Sequence, residues 1–172
     1  YLPLWLKELG FSITVIGLLT AVQAATRVLA PYGWGWLSDH TGERVKLLRF
    51  CAGAALLCSC GLLVKGGVGW LAFVLLLMFV HTSAMMPMSE AALAHLVSSG
   101  EGFDARRYGR VRLWGSLGFL VTVFVAGAWF ERVGMQSFPL WAVGSLLLLN
   151  ASVWWLPNHR ETMHQDEARP PV

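Results

Sequence analysis

Long apolar runs of roughly 20 residues, separated by short polar turns, set the pattern of this chain. They begin near Thr14, Val45, Gly69, Gly109 and Phe138, and end near Ser38, Val64, Ala94, Phe130 and Leu156. A helix rising about 1.5 Å per residue crosses the roughly 30 Å hydrocarbon layer in about 20 residues, so each run predicts a transmembrane helix. The runs are continuous rather than alternating, which excludes a transmembrane β-barrel. Ahead of them, YLPLWLKEL (residues 1–9) reads as the emerging end of one further membrane helix, with Tyr1 and Trp5 in the aromatic belt. Gly10 to Ser12 turn the chain, and Ser12 is placed to cap the first complete span. Tyr1 opens inside an apolar stretch without an initiator Met, so a truncated first helix is expected. The predicted fold is all-α: a polytopic membrane helical bundle over residues 1–157, with five complete spans plus the end of an earlier one.

The polar positions give orientation. One set of turns and ends carries Arg44, Lys46, Arg49, Arg106, Arg107, Arg110, Arg112, Arg160 and Arg169, against Lys7, Lys65 and Arg132 on the other. Nine basic residues against three predict that the first side is cytoplasmic. Loops 39–44 and 95–108 and the tail 158–172 then face the cytoplasm, and the protein is expected in the inner membrane. The tail, NHRETMHQDEARPPV, is polar and lacks apolar periodicity, so it reads as a disordered linker.

Composition agrees and removes other classes. The chain is 56% hydrophobic and 13% charged, about half the charged share of soluble domains. A net charge of +3 points to no nucleic acid and no acidic partner. Cys51, Cys58 and Cys60 share one apolar run and read as buried thiols. His159 and His164 are five apart without further ligands, so no metal site and no cofactor are expected.

Charges inside the runs carry the candidate chemistry, because ionisable side chains are costly in lipid and mark pathways or sites. Arg27 falls near the midplane of the first complete span, on a face shared with Thr20 and Gln23. Pro31 is expected to bend that helix. Glu90 and Arg112 lie a few residues inside the two arms of the hairpin Pro87–Ser116, at similar depth, where they can meet. The guanidinium allows a forked contact to the carboxylate or to a ligand oxygen. His81, near mid-membrane, reads either as a titrating ligand group or as a hydrogen-bonded packing residue.

Two motifs carry a resemblance. GWLSDHTGER, with Gly35, Asp39, Gly42 and Arg44 in the spacing G-x-x-x-D-x-x-G-x-R, resembles the signature between helices two and three of major facilitator superfamily transporters. His40 and Glu43 depart from the residues usual there. PMSEAALA (87–94) with YGRVRLWGSLGF (108–119) resembles the lactose-permease and phenylpropionate-permease-like branch, as does the opening PLWLKELGFSITVIGLL. The resemblance covers residues 1–157 and implies the amino-terminal half of such a transporter with its first helix incomplete. It implies that Gly35, Asp39, Gly42 and Arg44 latch the cytoplasmic side during gating, and that Glu90 and Arg112 form a substrate-binding ion pair. Phe119 stands at the position of the sugar-stacking aromatic, where the branch has Trp, which weighs against galactosides. Arg27 is a feature of the phenylpropionate-like members.

The function so implied is secondary active transport of a small organic solute by alternating access, with the proton as coupling ion and no enzymatic step. The partners are the lipid bilayer, the small-molecule substrate and the carboxy-terminal half. The predicted substrate-binding set is Glu90, Arg112, Arg27, Gln23, Phe119 and His81. Two basic residues favour an aromatic carboxylate. Glu90 favours a sugar or nucleoside, and a non-transporting sensor on the same scaffold is the further alternative.

Overall fold

The computed structural model describes residues 1–97 and 104–156. Residues 98–103 and 157–172, which include the tail 158–172 that the sequence reads as a disordered linker, lie outside the described residues. Among the described residues all regular structure is helical.

A short α1 (Leu2–Glu8) leads through Gly10, at φ +85°, into the 29-residue α2 (Ile13–Thr41). Ser12 caps α2 as predicted, its hydroxyl oxygen accepting the Val15 N–H at 3.4 Å. Pro31 lies within the helix without ending it. Gly42, at φ +62°, closes α2 by donating its N–H to the Ser38 carbonyl, a left-handed cap that a side chain would strain. Then α3 (Arg44–Cys60) runs back and finishes in a 3₁₀ turn, Gly61–Leu63.

The next apolar run is divided at Ala84 into α4 (Val68–Ser83) and α5 (Met85–Val97). Pro87 accounts for the break: it has no N–H to give the Ser83 carbonyl four residues back, and its ring crowds that carbonyl. The hairpin's second arm is α6 (Ala105–Val133), capped by the Asp104 carboxylate, which accepts the Arg106 and Arg107 N–H groups at 3.0 Å each. A 3₁₀ turn, Met135–Ser137, leads into α7 (Phe138–Trp154). Five helical stretches are long and apolar enough to cross a membrane, matching the five predicted spans.

Central α3 packs against α4, α5 and α7, while α2 lies along α4. One core gathers Leu6, Leu19, Leu62, Leu71 and Leu75 toward the end where the chain starts. The other gathers Leu48, Cys51, Ala52, Ala84, Met88 and Val153 toward the basic end, the one holding Gly42 and Arg44. Apolar burial cannot by itself join helices in lipid, so close packing and polar ties carry much of the association. Three ties stand out. Trp34 Nε1 donates to the Val80 carbonyl at 2.9 Å, joining α2 to α4. Asn150 Nδ2 donates to the Ala52 carbonyl at 2.8 Å, joining α7 to α3. Arg49 Nη2 takes the Leu156 carbonyl at 2.8 Å and the Trp154 carbonyl at 3.3 Å, with its guanidinium 5.2 Å from the Trp154 ring centroid.

Some expectations change. Trp5, placed in the aromatic belt by sequence, is 4% exposed and stacks on Phe138, because α1 turns inward against α2 and the Met135–Ser137 turn. On α6, no atom of another element among the described residues lies within 4 Å of a Cβ placed at Gly115 or Gly118. There α6 stands apart from α7 across an apolar gap of about 880 Å³, flanked by Val121, Val125, Trp129, Leu140, Trp141 and Leu148. Tyr1 reaches α6 at the head of the gap, donating its hydroxyl to the Val123 carbonyl at 2.9 Å.

Replacing Asn150 with Leu removes the only side-chain donor to Ala52 that the described residues supply. The expected outcome is a loss of about 0.5–2 kcal/mol in folding stability, measured by steric trapping in bicelles, with helical content unchanged.

Candidate functional site

Two parallel rows of side chains face each other near the middle of the bundle. Gln23, Arg27 and Pro31 descend α2 at four-residue intervals; Phe79, Ser83 and Pro87 descend α4 and α5 at the same interval. Both helices run toward the basic end, and along each row successive residues stand about 6 Å apart at 1.5 Å per residue. Together with Thr82 and Met86 these residues line a cavity of about 530 Å³. That volume lies within the roughly 300–1,000 Å³ range typical of small-molecule sites.

Arg27 is the central residue of α2, a helix long and apolar enough to cross a membrane. Among the described residues it has neither hydrogen-bond nor ion-pair partner. A guanidinium in that position calls for water or an anion, because the bilayer interior solvates neither charge nor N–H groups. Gln23 adds an amide one turn away. Across the cavity, Thr82 donates its hydroxyl to the Met78 carbonyl at 2.9 Å and Ser83 to the Val80 carbonyl at 2.8 Å. With their protons so committed, both hydroxyls face the cavity as acceptors.

Glu90 and Arg112 meet as the hairpin reading expects, Arg112 Nη1 lying 3.3 Å from Glu90 Oε1. Glu90 is seven residues from the end of α5 and Arg112 seven from the start of α6, so the two are level. The contact is single rather than forked: the same Nη1 also donates to Tyr108 Oη at 3.1 Å. Their side chains are 40% and 58% exposed, which leaves the pair open to competition from a ligand. Neither residue lines the 530 Å³ cavity; Glu90 sits one turn beyond Met86 on the same face of α5.

The other two members of the sequence-derived set lie elsewhere. Phe119 is 72% exposed on α6, outside the cavity lining. His81 is bonded through Nδ1 to the Leu77 carbonyl at 2.7 Å, with its ring 5.5 Å from Trp34 and 6.1 Å from Phe50. It fills an interface of α2, α3 and α4. Sequence reasoning does not select Phe79, Thr82, Ser83, Met86 or Pro31 for the site, although their spacing of three and four along one face is readable.

At the basic end, Arg44 Nη2 lies 3.5 Å from Asp39 Oδ1 across the Gly42 turn. Gly35, Asp39 and Arg44 line a crevice of about 90 Å³ with Pro31, Trp34, Ser38, Pro87, Met88 and Ala91, so the motif abuts the start of α5. Each unusual residue in the motif has a local partner: His40 Nδ1 is 2.9 Å from the Trp36 carbonyl, and Glu43 pairs with Lys46 at 2.7 Å. No group of three His, Cys, Asp or Glu side chains converges among the described residues.

Comparison with known proteins connects this geometry to a family. The sequence model of the MFS_1 like family matches residues 1–170. The maltose permease of Geobacillus stearothermophilus is 30% identical over 147 residues, covering 85% of this chain and 36% of the relative. The probable 3-phenylpropionic acid transporter of Escherichia coli (strain K12) is 28% identical, covering 72% of this chain and 31% of the relative. The uncharacterized transporter YwbF of Bacillus subtilis (strain 168) is 28% identical over 78% of this chain and 32% of its own length. The chain thus spans about a third of the length of each of these relatives. No solved structure matches significantly. Five membrane-length helices, a charged turn of the G-x-x-x-D-x-x-G-x-R type and a family match across nearly the whole chain lead to one assignment: the chain belongs to the MFS_1 like family, multi-pass membrane transporters of the major facilitator type that are not enzymes.

Proposed function

We propose that this chain is the amino-terminal half of a proton-coupled symporter that carries a small organic anion, such as an aromatic carboxylate, across the inner membrane by alternating access. The observation that carries the reading is Arg27, a guanidinium at the centre of α2 without a partner among the described residues, opening on a cavity that sets donors and hydroxyls beside apolar surface. A carboxylate satisfies such a group; a neutral solute leaves its charge uncompensated. Likeness to a protein named as a probable 3-phenylpropionic acid transporter supports the same class.

In this reading the carboxy-terminal half supplies the second wall of the pathway, and the two halves rock about the site. Loops 39–44 and 95–108 and the tail 158–172 face the cytoplasm, the side with most of the Lys and Arg. Asp39 and Arg44, joined across the Gly42 turn and backed by α5, act as a two-state latch on that side. Glu90 and Arg112 lie at the inner edge of the cavity, where Glu90 holds the guanidinium until ligand competes for it.

A sugar or nucleoside substrate is the second reading. It rests on the half-open Glu90–Arg112 pair, whose carboxylate accepts hydroxyl donors, and on likeness to a maltose permease.

Counterflow by the full-length protein in proteoliposomes separates the two. For an anion substrate, Arg27→Gln is expected to weaken aromatic-acid affinity roughly 10- to 100-fold, the worth of a charged hydrogen bond. For a sugar substrate, Glu90→Gln and Arg112→Lys abolish affinity and Arg27→Gln leaves it intact. Binding of either class without counterflow marks the scaffold as a sensor. Asp39→Asn is expected to slow counterflow about tenfold while equilibrium ligand affinity, measured by calorimetry, stays within roughly twofold, since one ionic contact of the latch is lost away from the cavity.

A further inference from the structure

We propose that Phe79 is the residue that reads the hydrophobic body of the transported acid, so that selectivity for an aromatic ring is set on α4. This deepens the anion reading above and rests on it.

The cavity sets polar groups beside apolar surface. Arg27 and Gln23 are its donors, and Thr82 and Ser83 its acceptors. Phe79, Met86, Pro31 and Pro87 supply the apolar surface, and Phe79 is the one aromatic residue among the described lining. Phe79 and Arg27 line the same cavity, one from α4 and the other from α2. A carboxylate held by Arg27 therefore brings the rest of a small acid alongside the Phe79 ring. The ring is also partly buried and packs against the core that includes Leu71, Val74, Leu75 and Met78. A side chain packed in that way offers a preformed surface, with little rotamer freedom to lose when ligand binds. Met86, by contrast, is 64% exposed and unbranched, so it adapts to many shapes and discriminates poorly. Phe119 stands outside the cavity, so among the described residues Phe79 is the aromatic side chain within reach of a ring bound there.

Ring-on-ring contact distinguishes a phenyl group from a saturated ring of similar size, because offset and edge-to-face geometries depend on the π system. The probes are phenylacetate and cyclohexylacetate, equal in charge and chain length. Their dissociation constants are measured by calorimetry on the full-length protein in detergent, with monodispersity on gel filtration as the folding control. The expected result is a wild-type preference for phenylacetate that falls roughly 3- to 10-fold in Phe79→Leu, with cyclohexylacetate affinity held within about twofold. Phe79→Tyr keeps the preference. Phe79→Met replaces Phe79→Leu if the latter is not monodisperse, with the same expectation.

An unchanged preference in Phe79→Leu or Phe79→Met, alongside loss of both acids in Arg27→Gln, overturns the assignment of Phe79 and leaves the Arg27 site standing. Equal wild-type affinity for the two acids also overturns it. Unaltered binding of both acids by Arg27→Gln instead removes the anion reading, and with it the ground for this inference. Failure of the wild-type protein to bind either acid removes both.

Discussion

A bilayer interior offers no water to an unpaired polar group, and this constraint organises the chain more than any single contact. Backbone groups meet it by helix formation, which is why the described residues are helical almost throughout. Side chains meet it by tying helices together: Trp34 to Val80, Asn150 to Ala52, Arg49 to the last carbonyls around α7. Arg27 has no such tie among the described residues, and it opens on the 530 Å³ cavity. Elsewhere polar groups are satisfied to different degrees. His81 is satisfied by its own helix and two aromatic neighbours, whereas Glu90 and Arg112 hold each other across a half-open gap.

The fold and the site differ in how far they are legible in the sequence. Five spans, the Ser12 cap, the Gly42 turn and the meeting of Glu90 with Arg112 come from run length, turn chemistry and equal depth, all local or pairwise signals. Cavity membership is different, because it depends on which faces two distant segments turn toward each other. Gln23 and Arg27 are identifiable because they are polar in an apolar run. Phe79 and Met86 resemble any other packing residue until α2 is laid beside α4. Phe119 is drawn in by analogy with a position on another chain, and it is exposed on α6, outside the lining of the 530 Å³ cavity. Trp5 shows the same weakness of local rules: an aromatic near a span's end reads as a belt residue unless α1 is seen to turn inward.

Arg49 and Asn150 illustrate why polar ties are hard to read in a sequence. Arg49 looks like one more basic residue of an orienting cluster, and its interaction with α7 spans more than a hundred residues of sequence. Asn150 sits one turn below Leu146, whose carbonyl it also contacts at 3.1 Å, so it reads as a self-satisfied helical side chain. In each case the partner is a backbone carbonyl, which leaves no trace in residue identity.

The break at Ala84 has a mechanical meaning. It falls between the two cores, with α4 anchored largely in the one that holds Leu71 and Leu75, and α5 in the one that holds Leu48 and Cys51. Phe79 and Thr82 therefore belong to one rod, while Met86, Pro87 and Glu90 belong to another. The wall of the cavity is thus jointed at Ala84, and any change in the angle between α4 and α5 alters the shape of the space that Arg27 faces.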